Sequence, residues 1–477
     1  MRRVLIYGAG EAGEMVLQEI RQRPEENIVV LGFMDDDNAK QGRSVAHVPV
    51  RGGKDHLSAV IRELDINEVI IAMPSIRKPV IREVARICKR ERVKLLIVPS
   101  TRAIIEGRVS YEQIKIIHPA DLLEREEAHI ESRRIREYLQ GRSILVTGAA
   151  GSIGNELVRT VISYMPRQLI LVDINENGLF YLLQALGDGD HGRMTDFKPH
   201  VADIKCKPML ETLFTLYRPD VVFHTAAYKH VPIMENNVRM IFLNNVIGTR
   251  NLLELASCFE VERFIGISTD KAVYPVSVMG KTKRIGELLL KSYAIRGLRA
   301  SSVRFGNVLG SNGSVMTVFE RQIGRGGPVT ITSPDMERYF MTVQEAVSLV
   351  LQAGSMDGQG DIYVLEMGNP IRIRDLAENM IILSGYSPGV DMEISYTGVR
   401  AGEKLREQLF YREVDVLQSS FKGISIERCP VQDDRLIEIL ENIQERVYLI
   451  EEEDLLHDMD CIIRGGVAVA PSHALSP

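Results

Sequence analysis

The stretch RSILVTGAAGSIGNELVRTVI, from Arg142 to Ile162, decides the fold. Its apolar start, SILVT, passes into a glycine-rich turn and then into apolar residues at helical spacing. Gly148, Gly151 and Gly154 stand where missing side chains let the backbone turn tightly and approach a phosphate at the helix N-terminus. Backbone amides around Ser152 and Ile153 would face such a pyrophosphate. The next apolar run, RQLILVD, ends in Asp173, about 20 residues on, where a carboxylate can bind adenosine ribose hydroxyls. The plainer reading of Asp173 is a helix cap. No Arg follows it closely to hold a 2′-phosphate, so the cofactor expected is NAD and not NADP.

Outward from that turn, DVVFHTAA and ERFIGIST continue the alternation of apolar strand and amphipathic helix. The amino-terminal part repeats the plan. There RRVLIYGAGEAGEMVLQEI (Arg2–Ile20) carries Gly8, Gly10 and Gly13 at GxGxxG spacing, followed by HLSAVIREL, NEVIIAM and VKLLIVP. Buried strands alternating with helices imply parallel sheets covered on both faces. The fold expected is α/β, with two doubly wound Rossmann-type domains in tandem. We place a nucleotide-binding or regulatory domain at 1–120, a solvated linker helix at 121–140, the catalytic domain with a small substrate lobe at 141–412, and a helical tail at 413–477. In the first domain Asp35, Asp36 and Asp37 follow the second strand. They either hold a dinucleotide ribose or form an exposed acidic turn on a scaffold kept for packing or regulation.

Composition narrows the function. The 477 residues carry 58 Lys and Arg against 64 Asp and Glu, a net charge of −6, which offers no electrostatic reason for a nucleic-acid partner. Five cysteines stand singly without a CxxC pair, so neither a disulfide framework nor a metal site is expected, and a reducing, cytoplasmic setting is. No stretch approaches the roughly 18 consecutive apolar residues of a membrane span.

Chemistry concentrates after ERFIGIS, where Thr269, Asp270 and Lys271 are contiguous and MGKTK follows. Short-chain dehydrogenase/reductases, whose cofactor loop the GAAGSIG turn resembles, use YxxxK, with Tyr as the base and Lys depressing its pKa. Lys283 is present, but Met279 stands one helical turn before it. Met cannot accept a proton. The acid and amine of Thr269-Asp270-Lys271, at a strand's carboxyl end, are the replacement. The bland alternative is a weak surface ion pair.

The GAAGSIG turn resembles the cofactor loop of extended short-chain dehydrogenase/reductases. The combination of HTAAYKHVPIME, NNVIGT, STDKAVYP with MGKTK, RFGNVLGSNGSV, ITSPDMERYFMT and RAGEKL is similar to long-form UDP-N-acetylglucosamine 4,6-dehydratases of the CapD-like polysaccharide-biosynthesis family. The resemblance runs to about Arg412. It implies an NAD-dependent lyase, expected as a homo-oligomer, acting on a UDP-sugar. It implies catalytic roles for Thr269, Asp270, Lys271 and Lys283, with Met279 in the tyrosine position. Asp203, Ile204 and Ala226 fall with the cofactor set. Asn307, Arg338, Arg400 and Glu403 fall in the nucleotide-sugar pocket, and Lys229 and His230 reach toward substrate, His230 being open to a core role instead. Arg304 is either a pocket residue or a partner for a carboxylate. The rivals are a UDP-sugar 4-epimerase, which ordinarily keeps Tyr, and a non-catalytic NAD or nucleotide-sugar sensor.

Overall fold

The strand Ser143–Thr147 is buried along its whole length and sits third in a nine-stranded sheet. The order runs Asp196–Val201, Gln168–Asp173, Ser143–Thr147, Val221–His224, Arg263–Thr269, Ala300–Phe305, Ile362–Leu365, Ile424–Glu427, Val416–Gln418. The first seven are mutually parallel, and the last two add as an antiparallel pair. The chain leaves Ser143–Thr147 toward one edge and then crosses to Val221–His224 on its other side. The order reverses between these two strands, so their carboxyl ends frame the crevice where open α/β sheets bind ligands. In this computed structural model the described residues are 2–73, 78–98, 115–116, 130–187, 195–358, 360–384, 386–411, 416–428 and 435–465.

Alternate residues of these strands feed the two faces of the sheet. Leu145, Ile170, Val222 and Phe264 pack under the helices Gly248–Cys258 and Val278–Ile295, while Ile144, Val146, Leu171 and Phe223 pack under Ser152–Val161 and Val343–Gly354. This sheet lies in a unit of Glu126–Thr317, Thr332–Arg372 and Thr397–Pro477.

Three domain expectations need correction. The helix Ser132–Leu139 is not a solvated linker: Ile135, Tyr138 and Leu139 are buried, and the Tyr138 hydroxyl donates to Leu351 O at 2.8 Å. Three apolar side chains at one helical face suffice for docking, however charged the other face. The rest of the expected linker, 121–129, lies outside the described residues. The tail is not wholly helical, because Val416–Gln418 and Ile424–Glu427 complete the edge that Ile362–Leu365 would leave unpaired. Two helices, Leu436–Arg446 and Glu452–Arg464, follow and bury Leu440, Leu455 and Met459 in the core.

The other unit has a five-stranded sheet ordered Ile28–Met34, Arg2–Tyr7, Glu68–Ile71, Lys94–Ile97, Lys115–Ile116, parallel except at the last strand. It comprises Met1–Arg125 together with Val318–Ile331 and Ile373–Tyr396. The helix Ile373–Leu383 packs on Lys78–Arg90, with Leu383 against the core of Leu57, Val60 and Val84. This is the third correction: residues expected in the catalytic stretch supply part of the first unit's packing.

Candidate active site

The glycine-rich turn sits at the mouth of the crevice. Gly148 has φ +69°, and a Cβ there would lie 2.7 Å from Ala226 N, so only glycine permits this approach. A Cβ on Gly154 would collide with Gly148 O. Gly151 caps Ser152–Val161 with no side-chain hydrogen bond to the helix end, and no acid stands in its first turn. Its first amides therefore point outward with no intrahelical partner. Asp173 ends its strand half-buried, and its two oxygens accept one N–H each, from Ala150 and Asn175 at 2.9 Å. The helix-capping duty falls to Asn175, which receives Gly178 N–H. Each Asp173 oxygen keeps a lone pair for a hydroxyl. These features fit a dinucleotide: an uncovered helix N-terminus for phosphate and a half-exposed acceptor beside it. Asp203 is tied to Lys205, and Ile204 is buried against Gly248.

The strand Arg263–Thr269 ends in a single 3₁₀ turn, Asp270–Ala272. Asp270 is fully buried. Its Oδ1 accepts from the Thr269 hydroxyl and from Lys271 Nζ, both at 2.9 Å, and Lys271 Nζ also donates to Asn307 Oδ1 at 3.0 Å. Asp270 Oδ2 has no partner among the described residues. A surface ion pair is thereby excluded, because the acid is buried and the amine mostly so. The helix Val278–Ile295 starts beside this turn, capped by Ser277 on Gly280 N–H. A Cβ on Gly280 would collide with Lys271 O, so the glycine sets how closely helix and turn approach. Met279 is buried in the helix's first turn, and Lys283 Nζ donates to Ile267 O at 2.9 Å. Burial pushes the Lys283 ammonium down to about 8 against the pull of Glu287.

The other expected residues divide. Asn307 is drawn to Lys271, as just described. His230 is not a core histidine: it is exposed, and its ring rests against Gly313. Lys229 is exposed beside it. Arg338 is buried and donates to Glu337 O and Leu405 O, which ties it to the end of the RAGEKL turn. Arg400 is exposed, its N–H facing Glu403 at 3.4 Å. That turn reaches the catalytic segment through Lys404, whose Nζ donates to Val273 O at 2.6 Å. Arg304 is structural, paired with Glu287 through two N–H donors and with Glu427 at 2.8 Å.

Several residues inside the quoted motifs shape the site though no role was expected of them individually. Glu235 accepts Val278 N–H at 2.9 Å and caps the catalytic helix, and it also borders Gly402. Asn245, in a π-helical stretch Leu243–Ile247, binds both Tyr228 N–H and Tyr228 O and donates to Thr282. His224 lies between Thr147 and Thr249, 2.8 and 2.9 Å away. Because Thr249 spends its proton on Asn245 O, His224 must donate from Nε2 and accept at Nδ1. Burial, with Lys283 nearby, pushes His224 down to about 3. An S-x-x-G start and an apolar strand ending in His were the available signals.

Residues 144–428 match the profile of a family described as polysaccharide biosynthesis protein, and residues 1–99 match a CoA-binding domain. The chain is 39% identical over 425 residues to the probable polysaccharide biosynthesis protein EpsC of Bacillus subtilis, covering 89% of this chain and 71% of that one. It is 40% identical over 408 residues to the capsular polysaccharide biosynthesis protein CapD of Staphylococcus aureus, covering 85% and 68%. The chain belongs to this CapD-like polysaccharide-biosynthesis family of short-chain dehydrogenase/reductases. Among solved structures, Pen from Bacillus thuringiensis is 28% identical with a TM-score of 0.57, over 62% of this chain and 91% of that one. DesIV of Streptomyces venezuelae, a dTDP-glucose 4,6-dehydratase solved with NAD and TYD bound, shares the fold at 21% identity and a TM-score of 0.51, over 64% and 98%. No described helix is long and apolar enough to cross a membrane, and no metal-binding cluster occurs among the described residues.

Proposed function

We propose that this protein is a nucleotide-sugar 4,6-dehydratase, a lyase converting UDP-N-acetylglucosamine to its 4-keto-6-deoxy sugar with resident NAD. The observation that carries this reading is Lys271 Nζ held between Asp270 Oδ1 and Asn307 Oδ1, with Asp270 Oδ2 buried and unpartnered among the described residues. Gly148, Gly151, Ser152, Ile153, Asp173 and Lys283 would hold the dinucleotide, which supplies a hydride acceptor that returns what it takes.

The chain's own groups do the rest. When carbon 4 becomes a ketone, the 4-hydroxyl proton goes to Lys283, which burial pushes toward its neutral form, and from it to Asp270 once the 6-hydroxyl has left. The ketone acidifies the hydrogen on carbon 5. Neutral Lys271 has two N–H bonds, matched by its two acceptors, and its lone pair is left to take that proton. A turn of the Asp270 carboxyl, needed because Oδ2 is buried, lets its acid form give a proton to the 6-hydroxyl, which departs as water while the carbon 5–carbon 6 double bond forms. Lys271 then returns a proton to carbon 5 as hydride arrives at carbon 6. Thr269 orients Asp270 through its hydroxyl. Elimination needs the acid and the amine of Asp270 and Lys271, which 4-epimerisation would leave without a task.

Purified protein given UDP-N-acetylglucosamine and no added NADH should yield a new methyl doublet by proton NMR, with deuterium at carbon 5 in heavy water. A product keeping its 6-hydroxyl would establish epimerisation instead. Lys271→Ala should lower product formation by about 10²–10⁴-fold while substrate still reduces bound cofactor, seen by absorbance. Near-parent turnover in that variant would remove Lys271 from the role of base.

A further inference from the structure

A buried carboxylate oxygen without a donor is unfavourable by about 1–3 kcal/mol or more, so the isolation of Asp270 Oδ2 has to be maintained by its surroundings. Gly306 shows how. A Cβ at Gly306 would lie 2.8 Å from Asp270 Oδ2, 3.1 Å from Met367 Sδ and 3.1 Å from Tyr339 Cβ. These groups border one small volume. The two backbone donors there are both consumed elsewhere: Gly306 N–H goes to Met367 Sδ at 2.8 Å, and Asn307 N–H goes to Tyr339 O at 2.9 Å. Met367 is buried at the end of the strand Ile362–Leu365 and offers only sulfur and carbon.

We propose that Met367 is a positioning residue: by engaging the Gly306 N–H and closing this volume with apolar atoms, it keeps Asp270 Oδ2 free of donors and therefore able to carry the proton for the leaving hydroxyl. The inference rests on the dehydratase reading above. A donor aimed at Oδ2 would favour the ionised carboxylate and remove the acid. The titratable groups facing Asp270 are Lys271 on its own turn and Tyr339 across Gly306, with Glu337 behind Tyr339. Burial, and then the Asp270 charge, push the Tyr339 hydroxyl up, in keeping with its closeness.

Met367→Gln, of similar length, brings an amide N–H into this volume. In the full chain with its cofactor, kcat should fall about tenfold or more, and the basic limb of its pH profile should move about one unit or more toward acid. KM for UDP-N-acetylglucosamine and the NAD content should hold. Met367→Leu, apolar and of similar volume, frees the Gly306 N–H but brings no donor of its own, so the limb should move less than in the Gln variant. The inference is overturned if the Gln variant keeps the parent limb, or if Leu moves it as far as Gln does. If the Gln variant does not fold, Gly306→Ala decides. Its Cβ must displace Oδ2, so 6-deoxy product should fall about tenfold or more while substrate still reduces the cofactor. Parent-like product formation from folded Gly306→Ala would equally overturn it. A parent chain that forms no 6-deoxy product defeats the dehydratase reading, and this inference with it.

Discussion

The molecule contains the same strand–glycine turn–helix twice, and the two copies differ in what they leave open. In both, an aspartate at the end of the second strand accepts an N–H from the turn: Asp173 from Ala150, Asp35 from Ala9. Asp173 is half-buried and has no ion-pair partner among the described residues. Asp35 is 3% exposed, accepts from Asp37 N–H as well, and is paired with Lys40 at 3.0 Å. Burial alone would raise it, but the Asp37 and Ala9 amides and Lys40 together hold its carboxyl below the usual range. The helix ends differ too. Glu11 and Glu14 occupy the first turn after Gly10, where negative charge opposes a phosphate, whereas the first turn after Gly151 has no acid. One copy is satisfied internally, and in the other the helix start carries no acid and each aspartate oxygen keeps acceptor capacity. A glycine spacing therefore describes a backbone path, and the side chains around it decide whether anything binds there.

The sharpest way to break this contrast is to add one methyl group to each turn. Gly148→Ala meets Ala226 N at 2.7 Å in a positive-φ conformation. We expect loss of bound NAD and a fall in turnover on the order of a hundredfold, the cost of a misplacement near 1 Å. Gly8→Ala meets Ala72 O at 2.6 Å with φ +119° and should lower stability by about 1–3 kcal/mol. Its NAD content should remain one per chain. Cofactor analysis of both purified variants decides, and equal NAD loss in the two would erase the distinction.

Most of this architecture was legible in the sequence, because strand, turn and helix are adjacent and their periodicities are local. Thr269, Asp270, Lys271, Met279 and Lys283 were legible for the same reason: a strand end and one helical turn fix their spacing. What escaped depends on long-range closure. The docking of Ser132–Leu139 rests on three apolar residues in a charged segment, and the antiparallel pair at 416–427 exists because a distant strand needs an edge partner. Glu235, His224 and Met367 act across the fold on segments far along the chain, so their contacts were not legible even though the first two stand in a quoted motif.

The aspartates give the second test. Asp173→Ala removes the acceptor proposed for ribose hydroxyls and should weaken NAD binding about tenfold to a hundredfold, the worth of hydrogen bonds to a charged group. Asp35→Ala should leave NAD affinity unchanged and lower the stability of its own unit, since Lys40 loses its partner and two amides lose their acceptor. Titration calorimetry on cofactor-stripped protein measures both. A second NAD equivalent bound per chain would refute the internal satisfaction of the Asp35 site.

The smallest expected effect concerns the strand beside each turn. Thr147 is paired with His224 across adjacent strands, and the matching pair in the other unit is Tyr7 and Ile71. A titrating histidine thus lies at this sheet position in one unit only. Folded His224 stays neutral down to about pH 3, whereas an unfolded histidine takes up a proton near pH 6.5. Between those values the unfolded state binds more protons, so stability falls as pH drops from about 6.5 and is unaffected by this group above it. The slope approaches about 1.4 kcal/mol per pH unit at most. His224→Gln offers an amide to the same two threonines but cannot titrate. It should be less stable than the parent at pH 7, and the difference should narrow as pH falls to 5. Urea unfolding at pH 7, 6 and 5, followed through release of NAD, reports on the unit that contains His224. Parallel slopes in parent and variant would show that the buried imidazole does not set the acid sensitivity of that unit.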